Sequence, residues 1–303
     1  MTISRRSLLA YSSLALLAAC APSKESGGRS AVTVGLTFIP NVQFCPFYLG
    51  VQEKLFTDLD VTLRHHGEQE GLFEALQLGR EDIVFASADE AMIAGDLEVV
   101  ATAYQRYPAE IMIAGGASSL EDLRGKSLGI PGRFGSSYYA ALAALRTAGL
   151  TEDDVKLVEI GYTSVAALTT SKVDAVVGFR NNELVQFQQE GLEVTSLPVS
   201  PEPVLVGPSL ITTKTRAKEP WVQKIVDGML AAERRAVEDK DAALDATTKE
   251  VPALEEAAKR ENARRVLDAT SELWKGADGE LSVDVDGAAM QRMDAFLQEA
   301  GIK

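Results

Sequence analysis

Two cysteines, two histidines and a shortage of basic residues set the first limits on this chain. Its 30 Lys and Arg are outnumbered by 44 Asp and Glu, for a formal net charge of −14. That balance argues against nucleic acid or an anionic membrane face as a partner, because both need a basic footprint. His65 and His66 are neighbours, and in an extended segment they point to opposite faces. No GxSxG elbow and no HExxH pair occurs, so ordinary hydrolase and zinc-protease chemistry lacks support. Nothing suggests a multi-pass membrane protein: the apolar run over residues 8–19 is too short to span a bilayer comfortably and has the length of a signal-peptide core.

What is present suits export. Arg5 and Arg6 precede that apolar run, and Leu17-Ala18-Ala19-Cys20 resembles the bacterial lipobox, in which the Cys thiol takes a diacylglycerol and becomes the mature N-terminus. Residues 4–9 also resemble a twin-arginine signal, with the general secretory route left open. Residues 21–30 read as a polar tether behind residues 1–20. Loss of Arg5 and Arg6 with the leader, which holds no acid, takes the charge from −14 to −16. Cys45 is then the remaining thiol, so no intramolecular disulfide forms, and among Phe44, Pro46 and Phe47 it reads as a small packed residue. With 46% hydrophobic and 24% charged residues over 303 positions, the rest suits one or two globular domains.

Beyond residue 31 the pattern alternates. Short apolar runs at 32–39, 60–64, 83–86, 99–104 and 111–115 read as strands, with helices at 47–56 and 70–78 and another opening at 87–90. A second series, strands at 127–130, 156–160, 173–179 and 193–198 with helices at 138–148, 165–171 and 183–190, follows a boundary expected near 115–119. A strand at 204–213 precedes a helical, charged last third broken at Pro252, with a final helix over 288–299. Strand then helix, repeated, is the α/β pattern.

Three stretches present side chains rather than bury them. Residues 38–50, FIPNVQFCPFYLG, set aromatics around Asn41 and Gln43 just past a strand. The turn over 129–139 leads through Gly129, Gly132 and Gly135 into a helix whose free N–H groups attract acceptor or anionic atoms. Residues 177–183 place Phe179, two amides and Glu183 beyond a strand's carboxyl end, where open α/β sheets bind ligands. All tyrosines after Tyr11 fall between Tyr48 and Tyr162, a bias that suits a cleft stacking a ring. Ser87 or Asp89 reads as a helix cap, with the sharper alternative that one of the acids Asp89 and Glu90 faces a cleft. The GxxGxxG spacing and Leu120 ahead of Gly125-Lys126-Ser127 fit neither a dinucleotide fingerprint nor a P-loop. Asp284-Val-Asp286-Gly287 lacks the later acids of a calcium loop, leaving Asp286 as a cap.

Several of these motifs, in order, resemble one family. Residues 38–44 with Pro46-Phe47-Tyr48, Asp89-Glu90, Tyr107-Pro108, residues 122–126, residues 129–135 and Val173-Asp174-Ala175 resemble the solute-binding lipoproteins of ABC importers that are related to thiamine-pyrimidine-precursor synthases and binders. The resemblance covers roughly residues 31–303. It implies a type II periplasmic-binding-protein fold: two α/β lobes joined by a two-strand hinge, the first discontinuous over 31–116 and 211–303, the second over 117–210. It implies a monomer on the outer face of the cytoplasmic membrane, anchored through Cys20, that closes on a small nitrogen heterocycle and hands it to a permease with its ATPase, with no metal and no cofactor.

The contacts expected on that basis are Asn41, Gln43, Phe44 and Tyr48 from the first motif, with Asp89 or Glu90 accepting ring N–H groups. Tyr104 and Tyr107 stack or hydrogen-bond, and Phe134, Gly135, Tyr138, Phe179, Asn181 and Glu183 form the opposing wall. An aminopyrimidine thiamine precursor ranks first as solute and riboflavin close behind, since Asn41-Val-Gln43-Phe44 departs from the Asn-His pair of pyrimidine-binding relatives. Sulfonate and nitrate want basic groups, of which Arg106, Arg133 and Arg180 are the candidates. A pyrimidine-precursor synthase on the same fold is disfavoured by the two histidines and one mature cysteine, and a solute sensor docking on a receptor is a third reading.

Overall fold

A computed structural model describes residues 30–37, 39–66 and 71–303. The signal segment, Cys20 with its expected lipid, the tether up to residue 29, Phe38 and the expected helix start at Glu70 lie outside the described residues. In chain order the first elements are β1 (Ser30–Thr37), α1 (Cys45–Gln52), β2 (Leu59–His66), α2 (Leu72–Gln77), β3 (Ile83–Ser87), α3 (Ala88–Ala94) and β4 (Leu97–Thr102). Next come β5 (Ala109–Ala114), β6 (Ser127–Ile130), α4 (Gly135–Thr147), β7 (Lys156–Glu159), α5 (Ser164–Thr169), β8 (Ala175–Phe179), α6 (Glu183–Glu190) and β9 (Val194–Pro198). The chain returns as β10 (Pro208–Thr213), α7 (Pro220–Glu238), α8 (Lys240–Glu250) and α9 (Ala257–Leu273), and ends with α10 (Gly287–Glu299).

Two five-stranded sheets result, ordered β2-β1-β3-β10-β4 and β7-β6-β8-β5-β9. Both follow one plan. In the first, β1 runs parallel to β2 and β3 while β10 is antiparallel to β3 and β4. In the second, β6 runs parallel to β7 and β8 while β5 is antiparallel to β8 and β9. These are the two α/β lobes expected from the sequence.

Local chemistry explains the elements. β3 is a continuous apolar run, Ile83 to Ala86, buried on both faces because helices cover the sheet on either side. α7 starts at Pro220, where a missing N–H costs nothing, and buries Val222, Ile225, Val226, Met229, Ala232 and Ala236 on one face. The break at Pro252 is real: α8 ends at Glu250 and Pro252 opens a short 3-10 turn before α9. Asp286 caps α10, its Oδ1 accepting the Ala288 N–H at 2.8 Å. Cys45 is fully buried, and burial pushes its thiol well above its usual range, as expected of a packed residue.

The division between the sheets differs from the expected lobes in two places. β5, placed by sequence in the first lobe, pairs on both sides within the second sheet, so the crossing lies at 103–108 rather than near 115–119. Its partners β8 and β9 come more than sixty residues later (Ala175 and Val194 onward), and an apolar run carries no record of its neighbours. α10, also placed in the first lobe, buries Met293, Phe296 and Leu297 in the core that holds Leu128, Ala141 and Leu145 of the second. The Val206 N–H points at Met293 Sδ, 3.3 Å away.

The crossings are irregular segments rather than hinge strands. The Ala103 and Tyr104 N–H groups both donate to the Pro208 carbonyl at 3.1 Å, so the outgoing segment 103–108 and the return 199–207 are tied where they meet the first sheet. A third passage, 274–286, carries the chain to α10 and is held to the first lobe by Thr102 N–H on the Val283 carbonyl (2.9 Å) and Gln105 Nε2 on the Asp284 carbonyl (3.1 Å). If α10 is an integral part of the second lobe, Met293→Ala leaves a cavity costing about 2–5 kcal/mol. Urea unfolding should show a lower midpoint for that variant, and an unchanged midpoint would mean that α10 is not packed there in solution.

Candidate functional site

The carboxyl ends of both sheets face one another across a cleft of ≈ 920 Å³. The first lobe contributes Thr37 after β1, the turn carrying Asn41, Gln43 and Phe44, and Phe85 and Ser87 at the end of β3. Pro40 precedes a short 3-10 turn, Val42–Phe44, whose start is capped by Asn41: its Oδ1 accepts the Gln43 N–H at 3.3 Å. Phe44 and Phe85 meet edge to face with centroids 6.1 Å apart, and Phe85 meets Tyr104 in the same way at 6.4 Å. That chain of rings makes an aromatic floor.

The second lobe supplies three loops, each beyond a parallel strand. After β6 come Pro131, Phe134 and the first turn of α4; after β7, Tyr162 and Thr163; after β8, Phe179, Asn182 and Glu183. Phe134 is 60% exposed at the rim. Glu183 braces its own loop, Oε2 accepting the Phe179 N–H at 2.8 Å and Oε1 the Asn182 amide at 3.2 Å, and burial raises its carboxyl above the ordinary range.

Of the expected contacts, Asn41, Gln43, Phe44, Glu90, Tyr104, Phe134, Gly135, Phe179 and Glu183 lie on the cleft wall. The other five are elsewhere. Tyr48 packs in the first-lobe core behind the wall, its hydroxyl 2.8 Å from His65 Nε2. Tyr138 turns outward to Glu152, and its neighbour Tyr139 faces the cleft instead, because adjacent helical residues point about 100° apart. Asn181 is fully buried between the lobes and donates to Thr270 Oγ1 of α9 at 2.9 Å, leaving Asn182 on the wall. Asp89 and Tyr107 sit behind Glu90. Ser136, Tyr139 and the Tyr162–Thr163 corner were not anticipated, although the strand-end rule that found Phe179 marks the end of β7 equally.

Where α3 meets α4, two acids of the first lobe close on a helix start of the second. Ser136 Oγ donates to Asp89 Oδ1 at 2.7 Å or Glu90 Oε1 at 3.2 Å, and the Ser136 N–H donates to Glu90 Oε1 at 3.1 Å. Gly135 is required here: its φ is +69°, and a Cβ would lie 3.0 Å from Glu90 Oε1. Tyr107 Oη lies 3.5 Å from Asp89 Oδ2, a weak contact. Burial, and for Asp89 the neighbouring Glu90 charge, raises both carboxyls above the ordinary range, Asp89 to about 8.

No Lys, Arg or His lines the cleft among the described residues. Arg133 pairs with Glu152 outside it and Arg180 with Glu110 at 3.6 Å. His66 is buried against Glu81 at 2.7 Å. Among the described residues, no cluster of three or more His, Cys, Asp or Glu side chains converges as a metal site, and no helix is long and apolar enough to cross a membrane.

Comparison with known proteins gives a family match: the profile described as NMT1/THI5 like fits residues 41–243. The riboflavin-binding protein RibY of Chloroflexus aurantiacus is 30% identical over 288 residues, covering 89% of this chain and 81% of that protein. Among solved structures, the periplasmic aliphatic sulphonate binding protein SsuA from Escherichia coli aligns with a TM-score of 0.69 at 16% identity, over 90% of this chain and 88% of that one. The desulfurization enzyme DSZB also shares the fold, with a TM-score of 0.56 at 16% identity over 90% and 93% of the two chains.

The raised acids carry a pH dependence with a definite sign. A carboxyl whose folded pKa lies above its unfolded value keeps a proton that the unfolded chain releases, so its stabilisation is full below about pH 4 and is lost as pH rises toward the folded value. The melting temperature of the purified protein should therefore fall between about pH 5 and about pH 8, and Asp89→Asn should flatten that fall, since it is neutral at every pH. A slope identical to wild type would remove Asp89 from the account.

Proposed function

Because this chain belongs to the NMT1/THI5-like family and has the two-lobed fold of type II periplasmic binding proteins, we propose that it is the extracytoplasmic substrate-binding component of an ABC importer and that its solute is riboflavin or a closely similar neutral flavin. The observation that carries the choice of solute is the cleft lining: aromatic rings on both walls, two acids, and no basic side chain among the described residues. A small anion needs Arg, Lys or an open helix start, so sulfonate and nitrate find nothing to bind. The SsuA likeness is one of fold alone.

Size favours the larger ring system. Small-molecule sites run from about 300 to about 1,000 Å³, and a cleft of ≈ 920 Å³ suits a tricyclic flavin with its polyol tail better than one pyrimidine ring. Phe85 and Tyr104 on one side and Phe179 and Tyr162 on the other offer faces for such a plane, with Asn41, Gln43, Ser87 and Thr163 as polar partners for its edges. The likeness to RibY points the same way. The aminopyrimidine thiamine precursor is the second reading, favoured by the family description.

Capture follows from the lobes. A ligand that touches both walls is held only where the walls approach, so it shifts the population toward the closed form, and a permease that recognises that form receives a loaded protein. The solute leaves unchanged. Cys45 and His66 are both buried and neither lines the cleft. In this reading Cys20 carries the lipid that keeps the monomer near its permease and ATPase.

Titration with riboflavin, followed by quenching of flavin fluorescence and by the rise in melting temperature that native-state binding produces, tests the reading. Riboflavin should bind, and Phe179→Ala should weaken it about 2–10-fold, the loss of one ring contact. Binding of an aminopyrimidine with no response to any flavin would move the assignment to the second reading.

A further inference from the structure

The start of α4 is the place in the cleft where a ligand anion would be held. It is a thirteen-residue helix, long enough for a full dipole, and its first turn opens toward the cleft through Gly135, Ser136 and Ser137. That position is already taken. Glu90 reaches across from α3 and its Oε1 accepts the Ser136 N–H at 3.1 Å, within reach of the Ser136 hydroxyl at 3.2 Å. Gly135 has no side chain where Glu90 sits, so the backbone has made room for a carboxylate from the other lobe.

We propose that Glu90 sets the charge selectivity of the cleft: it fills the helix start as an internal anion, so the protein takes an uncharged ligand and rejects analogues bearing phosphate or sulfonate. The proposal rests on the reading of this cleft as the ligand site and adds to it a rule for which flavin enters. A phosphate brought to α4 would meet Glu90 on the Ser136 N–H, with Asp89 behind it and Glu183 on the same wall of the cleft as α4. The groups facing the pair from neighbouring elements are the hydroxyls of Ser136, Tyr139 and Tyr107, and none is a cation. Specificity of this kind works by repulsion of the wrong ligand rather than by added attraction for the right one.

The experiment compares riboflavin with its 5′-phosphate on wild type, Glu90→Ala, Glu90→Gln and Asp227→Asn. Wild type should favour riboflavin. Glu90→Ala, which frees the helix start, should reduce that preference about tenfold, and Glu90→Gln, which removes the charge and keeps an acceptor for Ser136, should move it the same way by less. Asp227→Asn removes an exposed acid on α7, outside the cleft lining, and should leave the ratio nearly unchanged. An unchanged ratio in the folded Glu90 variants, or an equal change in Asp227→Asn, overturns the proposal; if Glu90→Ala does not fold, Glu90→Gln carries the test. If wild type binds neither flavin, the flavin reading fails and the selectivity rule is decided by ethanesulfonate: binding gained in a Glu90 variant supports it, and none in either protein overturns it.

Discussion

The carbonyl of Pro208 accepts two N–H groups, from Ala103 and from Tyr104, at the point where the chain leaves the first sheet and comes back to it. This junction ties the segment leaving the first sheet to the start of β10, where the return segment enters that sheet, and the carboxyl ends of the two sheets face each other across the cleft. Parallel βαβ units place their loops at those ends. Three loops of the second lobe therefore meet the strand ends of the first over an aromatic floor, and Tyr104, part of the junction, is also part of that floor. A cleft is then a consequence of topology, and its chemistry depends on which residues the loops carry.

Those residues are unusual in their sign. Buried carboxylates in proteins are normally paired with a cation, yet Asp89 and Glu90 have hydroxyls, a helix start and each other. Burial makes the charged forms costly, and the pair keeps a proton as a result. The helix start offsets part of that cost by placing its N–H groups against the charge that remains. One interaction thus couples the lobes and removes the most favourable anion site from the cleft. A second inter-lobe contact lies on the opposite flank, where the Asn181 amide donates to Thr270, whose hydroxyl in turn donates to the Val266 carbonyl.

Much of this was legible in the residues. Strands and helices follow local periodicity, and nearly every one lies where the apolar spacing put it, with ends moved by a few residues. Phe134, Gly135, Phe179 and Glu183 line the cleft as expected, the first two from the Gly-rich turn that opens a helix and the last two from the loop beyond a strand's carboxyl end. What could not be read is which way a side chain turns. Tyr138 and Tyr139 are equivalent in sequence, and only the packing of α4 on the second sheet sends Tyr139 to the cleft and Tyr138 to Glu152. Asn181 and Asn182 exchange roles for the same reason. That β5 and α10 belong with the second lobe was not legible, because strand pairing across more than sixty residues leaves no trace in a short apolar run, and an amphipathic helix does not record which core its apolar face covers.

The placement of α10 bears on how the lobes can move. A two-lobed binding protein with two crossings rotates about them, and each further covalent passage narrows the accessible rotations. Here 274–286 is a third passage, hydrogen-bonded to the edge strand β4 at one end and leading to a helix buried in the second lobe at the other. Arg292 of that helix also reaches Glu202 and the Pro203 carbonyl, at 3.4 Å each, on the return crossing. The third passage is thus tied at both ends, Val283 to Thr102 of the first lobe and Met293 beside Val206 of the return crossing. Glu90 meets Ser136 where α3 and α4 approach, so any movement that separates those two helices also breaks the contact that governs charge in the cleft.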